Sequence, residues 1–225
     1  MILKELQGKK FVASYSGGKD SILAIYRAIK SGLSPLELLT TYNTDMSRSW
    51  FHGLTEDVIK KVSDSLAIPI TLMKTSGEKY EENFEKALAE AKSRGAEVCV
   101  FGDIDIEQHL EWCSLRCEKT GIMPCFPLWK EERKKLVYEF VDSGFSAIIT
   151  IIDMSRMPKD FLGQTLSKEV ADSIERSGAD ICGENGEYHT FVFDGPIFGN
   201  RIDFSVKEKF ERDKHFILNL RSCIQ

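Results

Sequence analysis

A chain of 225 residues, 42% hydrophobic and 29% charged, can bury a full core as one large domain or as two interlocked lobes. Its longest apolar runs, such as Ala147-Ile148-Ile149 and Ile151-Ile152, are far shorter than a membrane span, and Met1-Ile2-Leu3-Lys4-Glu5 lacks the apolar stretch of a secretory signal, so a cytoplasmic protein with no membrane partner is expected. A net charge of −5 argues against a broad surface for nucleic-acid backbone, and six irregularly spaced cysteines suit free thiols in a reducing compartment.

The first strand is predicted over residues 10–15, where Phe11-Val12-Ala13-Ser14-Tyr15 is β-branched and aromatic. It stops in Ser16-Gly17-Gly18-Lys19-Asp20-Ser21, after which Ile22, Leu23, Ile25, Tyr26 and Ile29 recur at helical spacing and predict a helix over 20–30. A strand over 36–42, a helix over 55–66, a strand over 70–74, a helix over 80–94, a strand over 97–102 and a helix over 107–119 follow. Beyond them come a helix over 131–143, a strand over 147–152 and a helix over 167–177. Gly32, Gly95, Gly121, Gly144 and Gly178 each sit just past a helical stretch, where a left-handed residue ends it. Strands separated by helices predict an α/β protein with a doubly wound parallel sheet, an α/β/α sandwich. The character changes near Met123-Pro124-Cys125-Phe126-Pro127, and after Cys182 the chain turns β-like, ending in the strand-like segment 215–220. Two domains are read, 1–125 and 126–225, the second a smaller α+β lobe.

In open parallel sheets the ligand sits beyond the carboxyl ends of the strands. After the first strand, a turn that restarts as a helix points backbone N–H groups, at the positive end of a helix dipole, toward one spot suited to phosphate. Gly17 and Gly18 allow close backbone approach, Lys19 adds a mobile charge, and Ser16 and Ser21 offer hydroxyls to phosphate oxygens. Asp20 cannot favour a bare phosphate, and either orients Lys19, caps the helix or holds Mg²⁺. After the second strand come Asn43-Thr44-Asp45, Ser47, Ser49 and His52, and after the third Thr75-Ser76-Gly77. His52 is read as a phosphate or substrate contact, with a merely exposed loop histidine as the alternative. After the fourth strand Gly102 precedes Asp103, read as a Mg²⁺ ligand or a grip on a substrate donor or, alternatively, as a turn or cap aspartate.

A second motif runs from Gly183-Glu184-Asn185-Gly186 through Glu187-Tyr188-His189 into Thr190-Phe191-Val192-Phe193. The first four residues read as a turn and 188–193 as a strand, with Glu187 and His189 two apart and so on one face. Two glutamates and a histidine there would bind ammonium, deprotonate it or complete a metal site; a solvent-facing polar hairpin is the alternative. Cys113 and Cys117 lie at i, i+4 with Cys125 beyond, but Ile106, Leu110, Cys113 and Cys117 form one apolar stripe in which cysteine acts as a small hydrophobe.

The hexapeptide 16–21 resembles the pyrophosphate loop, S-G-G-x-D-S, of the N-type ATP pyrophosphatases, which split ATP between the α and β phosphates. With Gly102-Asp103-Ile104, Pro127-Leu128-Trp129, Gly144-Phe145, Leu162-Gly163 and the segment 183–198 in this order, nearly the whole chain is similar to the diphthine–ammonia ligase family. The resemblance implies a Rossmann-like ATP-binding lobe, a smaller substrate lobe, ATP and Mg²⁺ as cofactors, and amidation of a carboxylate by ammonia. It implies Lys19, Asp103, Glu184 and Glu187 as catalytic residues; Ser14, Ser16, Gly17, Gly18, Lys19, Asp20, Ser21, Asn43, His52 and Gly102 as the ATP site; and Asp20 and Asp103 at the metal. His109, Trp112, Tyr188 and His189 fall to the acceptor. In the diphthine ligases proper the acceptor is a modified histidine of translation elongation factor 2. Here Leu110, Trp112 and Ser114 stand where those ligases carry arginines and a glutamate, and the hairpin has Asn185 and His189 for a glycine and a glutamate. The acceptor is therefore left open between protein-borne diphthine and a small metabolite. A tRNA-modifying enzyme, a non-catalytic ATP- or AMP-sensing module and a homo-oligomeric assembly also stay open.

Overall fold

A computed structural model describes residues 3–44, 48–49, 52–75 and 79–223; the candidate residues Asp45, Ser47, Ser76 and Gly77 lie outside them. Among the described residues the strands are β1 (Lys10–Ser14), β2 (Ser34–Asn43), β3 (Arg48–Ser49), β4 (Ile70–Thr75), β5 (Val98–Val100), β6 (Met123–Cys125), β7 (Ser146–Asp153), β8 (Tyr188–Asp194), β9 (Phe204–Arg212) and β10 (His215–Ser222). The α-helices are α1 (Lys19–Lys30), α2 (Glu56–Leu66), α3 (Tyr80–Ser93), α4 (Glu107–Thr120), α5 (Arg133–Asp142) and α6 (Lys168–Arg176). The chain divides into two compact units, one of Met1–Ser16, Asp20–Trp50 and Ala67–Glu131, the other of Gly17–Lys19, Phe51–Leu66 and Glu132–Gln225. No helix among the described residues is long and apolar enough to cross a membrane.

The first unit carries the parallel sheet that the strand–helix alternation predicts. Its strands run β4-β2-β1-β5-β6, all parallel, and β3 adds two residues antiparallel to Tyr42 and Asn43 of β2. β1 is central, and its Phe11, Val12 and Ala13 are 0% exposed, which is why this strand reads as an unbroken apolar run. One face is covered by α3 and α4, whose Phe84, Leu88, Ala91, Cys113 and Cys117 pack with Val12, Leu39, Cys99 and Phe101. Full burial of each such Leu or Phe contributes roughly 1.5–3 kcal/mol, so this layer is a main source of the unit's stability. The strand order reverses at β1, since β2 leads outward on one side and β5 on the other. The turn after β1 thus leaves the sheet at its topological switch point.

The second unit is α+β. Its sheet runs β8-β7-β10-β9, antiparallel throughout. The strand expected over 147–152 therefore does not extend the parallel sheet: β7 pairs with β8 and β10, both antiparallel to it. α2 also belongs to this unit, where Asp57 accepts from the backbone N–H (3.0 Å) and hydroxyl (2.6 Å) of Ser222 in β10. Ser167 caps α6 by accepting from the Val170 N–H, and Gly32, Gly95, Gly121, Gly144 and Gly178 all take positive φ where the helices end.

Candidate functional site

In the first unit, the ends of β1 and β5 meet the start of α1. A Cβ on Gly102 would lie 2.8 Å from Asp20 C and Ser21 N, so only glycine lets the chain leaving β5 pass this close to the helix backbone. Ser14 closes β1 opposite Leu39, and the Ser16 hydroxyl lies 3.2 Å from that of Ser21. Asn43 ends β2 with its backbone between Arg48 and Thr75, and Asp20 occupies the first turn of α1, where the helix dipole favours a carboxylate.

Asp103 follows directly. Its Oδ1 lies 3.3 Å from His109 Nδ1 on the first turn of α4, and its Oδ2 lies 3.9 Å from Cys113 Sγ. The cap alternative for Asp103 is not what forms, because Ile106 is the N-cap of α4 and makes no side-chain cap. His109 is exposed, while Trp112 packs against Tyr80 and Phe84 at centroid distances of 5.5 and 5.3 Å and donates to Glu81 at 3.2 Å. Among the described residues no three His, Cys, Asp or Glu side chains converge as a metal cage. The carboxylate of Asp103 nonetheless suits Mg²⁺, which takes one or two protein carboxylates and completes its shell with water and phosphate oxygens.

In the second unit, the residues Gly17–Lys19 are gripped by β8. The N–H of Val192 donates to Gly17 O at 3.0 Å, and the N–H of Lys19 donates to Thr190 Oγ1 at 3.1 Å. The Lys19 ammonium is buried, donates to Cys182 O at 2.5 Å and lies 5.4 Å from the centroid of the Tyr188 ring. Tyr188 is itself buried and donates its hydroxyl to Ile181 O at 2.6 Å, so it shapes the seat of the lysine. His52 Nδ1 lies 2.7 Å from Thr190 O, which makes Nδ1 the protonated nitrogen, and its ring sits edge-on to His189 at 4.9 Å. Burial, reinforced by His189, holds His52 well below the usual imidazole range, despite the opposing hydrogen bond to Thr190; His189 is pushed down to about 4 by burial, then by the charges of Lys19 and His215. Both rings are therefore neutral at pH 7.

The hairpin carboxylates take different jobs. Both oxygens of Glu187, 5% exposed, hold Asn185, through its backbone N–H at 3.0 Å and its side-chain amide at 3.1 Å, with Arg156 at 4.0 Å. Glu184, half-buried, donates its N–H to Asp180 at 2.8 Å. Glu187 is thus tied to the turn and to Arg156, while His189 is beside His52 and Lys19; the single Glu–Glu–His cluster expected from spacing separates into these two sets of partners. The cysteines of the described residues are all free thiols; burial raises Cys99 and Cys113 and pushes Cys125 up to about 11, as expected of small core hydrophobes.

Sequence reasoning missed Thr190 and the Cys182 carbonyl. Each contacts Lys19 from more than 160 residues away, and a threonine inside an apolar strand carries no local mark of such a contact.

A doubly wound α/β unit whose switch-point strand runs into Ser-Gly-Gly-Lys-Asp-Ser, in a chain that also forms an antiparallel α+β unit, defines the class of protein. The family model described as "Diphthamide synthase N-terminal domain" matches residues 9–124 and that described as "Diphthamide synthase C-terminal domain" matches 132–223. The chain belongs to the diphthamide synthase family. The diphthine–ammonia ligase of Schizosaccharomyces pombe is 23% identical over 248 residues, covering 96% of this chain and 40% of that protein. The human diphthine–ammonia ligase is 25% identical over 226 residues, covering 86% of this chain and 82% of its own length. The chain thus spans less than half of the fission-yeast relative and most of the human one. A crystal structure described as a predicted subunit of tRNA methyltransferase from Methanocaldococcus jannaschii aligns with a TM-score of 0.43 at 16% identity, over 86% of this chain and all of that one, a likeness too slight to bear on function.

Proposed function

We propose that the chain is an ATP-dependent amide-forming ligase acting in diphthamide synthesis, with ATP, ammonia and a diphthine carboxylate as substrates. The observation that carries this reading is the hexapeptide 16–21 at the switch point of a parallel sheet, in a chain whose family models cover both units. An oxygen of the acceptor carboxylate attacks the α-phosphorus and pyrophosphate leaves, giving an acyl-adenylate. Ammonia then attacks the acyl carbon, loses a proton, and AMP departs with the electrons of the broken C–O bond. The turn at Gly17, Gly18 and Lys19, with the hydroxyls of Ser16 and Ser21, holds the departing pyrophosphate, because stabilising that charge is the main help such a displacement needs. Asp103, with Asp20 as the second carboxylate, would hold Mg²⁺, which would supply further charge neutralisation to the phosphates.

Glu184 steers ammonium and accepts its proton, while Glu187, locked to Asn185, fixes the turn that carries Glu184. His109 beside Asp103 is assigned to the acceptor, with His189. The buried thiols of Cys113 and Cys125, held protonated by burial, do not suit a tRNA-thiolating reaction, which needs an accessible thiolate. The test is product analysis with ATP, Mg²⁺, ammonium and elongation factor 2 carrying diphthine. AMP and pyrophosphate, formed only with the acceptor, are expected; ADP and phosphate as the sole nucleotide products would overturn the reading. Lys19→Ala is expected to weaken ATP binding at least tenfold.

A further inference from the structure

Gly17 and Lys19 of the glycine turn are both bonded to β8, and Gly18 between them lies beside a ring that β8 holds. Val192 N–H fixes Gly17 O at 3.0 Å, and Thr190 Oγ1 fixes Lys19 N–H at 3.1 Å. Thr190 O fixes His52 at 2.7 Å, and the ring of His52 fills the space beside Gly18 where a Cβ would otherwise stand. Thr190 is 2% exposed and engages the turn twice, once through its side chain and once through its carbonyl by way of His52. The N–H of Lys19 belongs to the first turn of α1, a group with no partner inside the helix, so its direction is set by whatever accepts from it. The Thr190 hydroxyl that accepts from it stands on a strand buried in its own sheet.

We propose that Thr190 is a positioning residue for nucleotide binding: by accepting the Lys19 N–H and holding His52 under Gly18, it sets the backbone conformation in which the turn meets a triphosphate. This rests on the reading of the turn as the ATP site. Valine at 190 keeps the β-branched shape and removes only the hydroxyl, whereas serine keeps the hydroxyl and removes only a methyl. Preorganisation of this kind acts on binding, since a turn that must be ordered by the ligand takes that ordering out of the affinity.

Calorimetric titration of Mg²⁺ and ATP into the full chain, with amide hydrogen exchange over residues 17–19, tests it. Thr190→Val is expected to raise the Kd for ATP about tenfold and to speed exchange over 17–19, while Thr190→Ser stays within about twofold of the parent in both. Thr190→Ala, which cannot overpack, repeats the valine result should valine fail to fold. A parent-like Kd and parent-like exchange in Thr190→Val or Thr190→Ala would overturn the inference, as would a Thr190→Ser variant no better than valine. A parent chain that binds no ATP would instead overturn the ATP reading itself, and the inference with it, a result distinct from normal binding in parent and variant alike.

Discussion

A Cβ built on Gly18 would lie 2.4 Å from His52 Cε1, closer than carbon atoms pack, so alanine at 18 must drive the imidazole off its bond to Thr190. Gly18→Ala is expected to weaken ATP binding at least tenfold, and His52→Ala, which opens the space, to recover part of that loss in the double variant. The coupling between the two, read from a double-mutant cycle of ATP affinities, should be favourable; strictly additive effects would show that the ring does not set the fit. Tyr15 presents the opposite situation. Its hydroxyl is buried with no hydrogen-bond partner among the described residues, and burial drives its pKa far up. An unsatisfied buried hydroxyl costs about 1–3 kcal/mol, so Tyr15→Phe is expected to stabilise the chain by about 1 kcal/mol and raise its melting temperature by roughly 2–4 °C. A lower melting temperature in Tyr15→Phe would show that the hydroxyl is satisfied in solution. At this scale the hexapeptide was legible as a candidate because its chemistry is contiguous, and Asp103 because it follows closely on a buried strand. Thr190 was not, because its partner Lys19 is 171 residues away and threonine is an ordinary strand residue.

Elements with a strong period were legible: α1, α3, α4 and the central strands carry apolar residues at the spacing their burial requires. β6 was not, since Met-Pro-Cys is three residues long and has a proline, tolerable only because this strand lies at the edge of the sheet. β9 was not either, because most of its residues are exposed and Lys207, Glu208 and Lys209 interrupt any alternation. Helix–helix pairing is likewise silent in the sequence, and the pair α3 and α4 shows what holds it. Arg116 of α4, 6% exposed in its side chain, reaches Glu81 at 2.5 Å and Glu85 at 2.9 Å, while its Nε is buried without a hydrogen-bond partner among the described residues. Glu81 stays exposed and Glu85 keeps Lys119 at 3.0 Å, so neither carboxylate is stranded if the arginine goes. Desolvation of the guanidinium then offsets most of what the pairs contribute, and a long apolar side chain keeps the packing on Trp112. Arg116→Met is expected to change stability by less than about 1 kcal/mol, whereas Arg116→Ala, which loses the stem, is expected to destabilise by about 2 kcal/mol. Equal denaturation midpoints for the two variants would contradict this, because they would place the whole effect in the charge.

For the molecule as a whole, the two neutral histidines beside the glycine turn make stability depend on pH in a definite window. His189 titrates at about 4 in the folded chain, against 6.5 when unfolded, and His52 is displaced in the same direction. Between these values the unfolded chain binds the extra protons, so stability is fully present above pH 6.5 and falls as the pH drops toward 4. The displacement of His189 alone corresponds to at most about 3 kcal/mol, a large share of a typical domain's stability. Two carboxylates act in a separate, lower window. Burial alone would raise Asp153 and Asp57, but the Lys214 ammonium and hydrogen bonds from Ser155 hold Asp153 at about 2, and hydrogen bonds from Ser222 hold Asp57 at about 2. Their folded pKa values are depressed, so their contribution is present above about 4 and is lost as the pH falls toward 2. All four groups lie in the unit formed by Gly17–Lys19, Phe51–Leu66 and Glu132–Gln225, so acid should loosen that unit ahead of the one with the parallel sheet. Scanning calorimetry at pH 7, 5.5 and 4.5 is expected to show one transition splitting into two as the pH falls, the lower one belonging to the second unit. His189→Gln should flatten the fall between pH 6.5 and 4 while leaving the loss below pH 4 in place. Parallel curves for the parent and His189→Gln across that window would mean that the imidazole at 189 is as easily protonated in the folded chain as in the unfolded one.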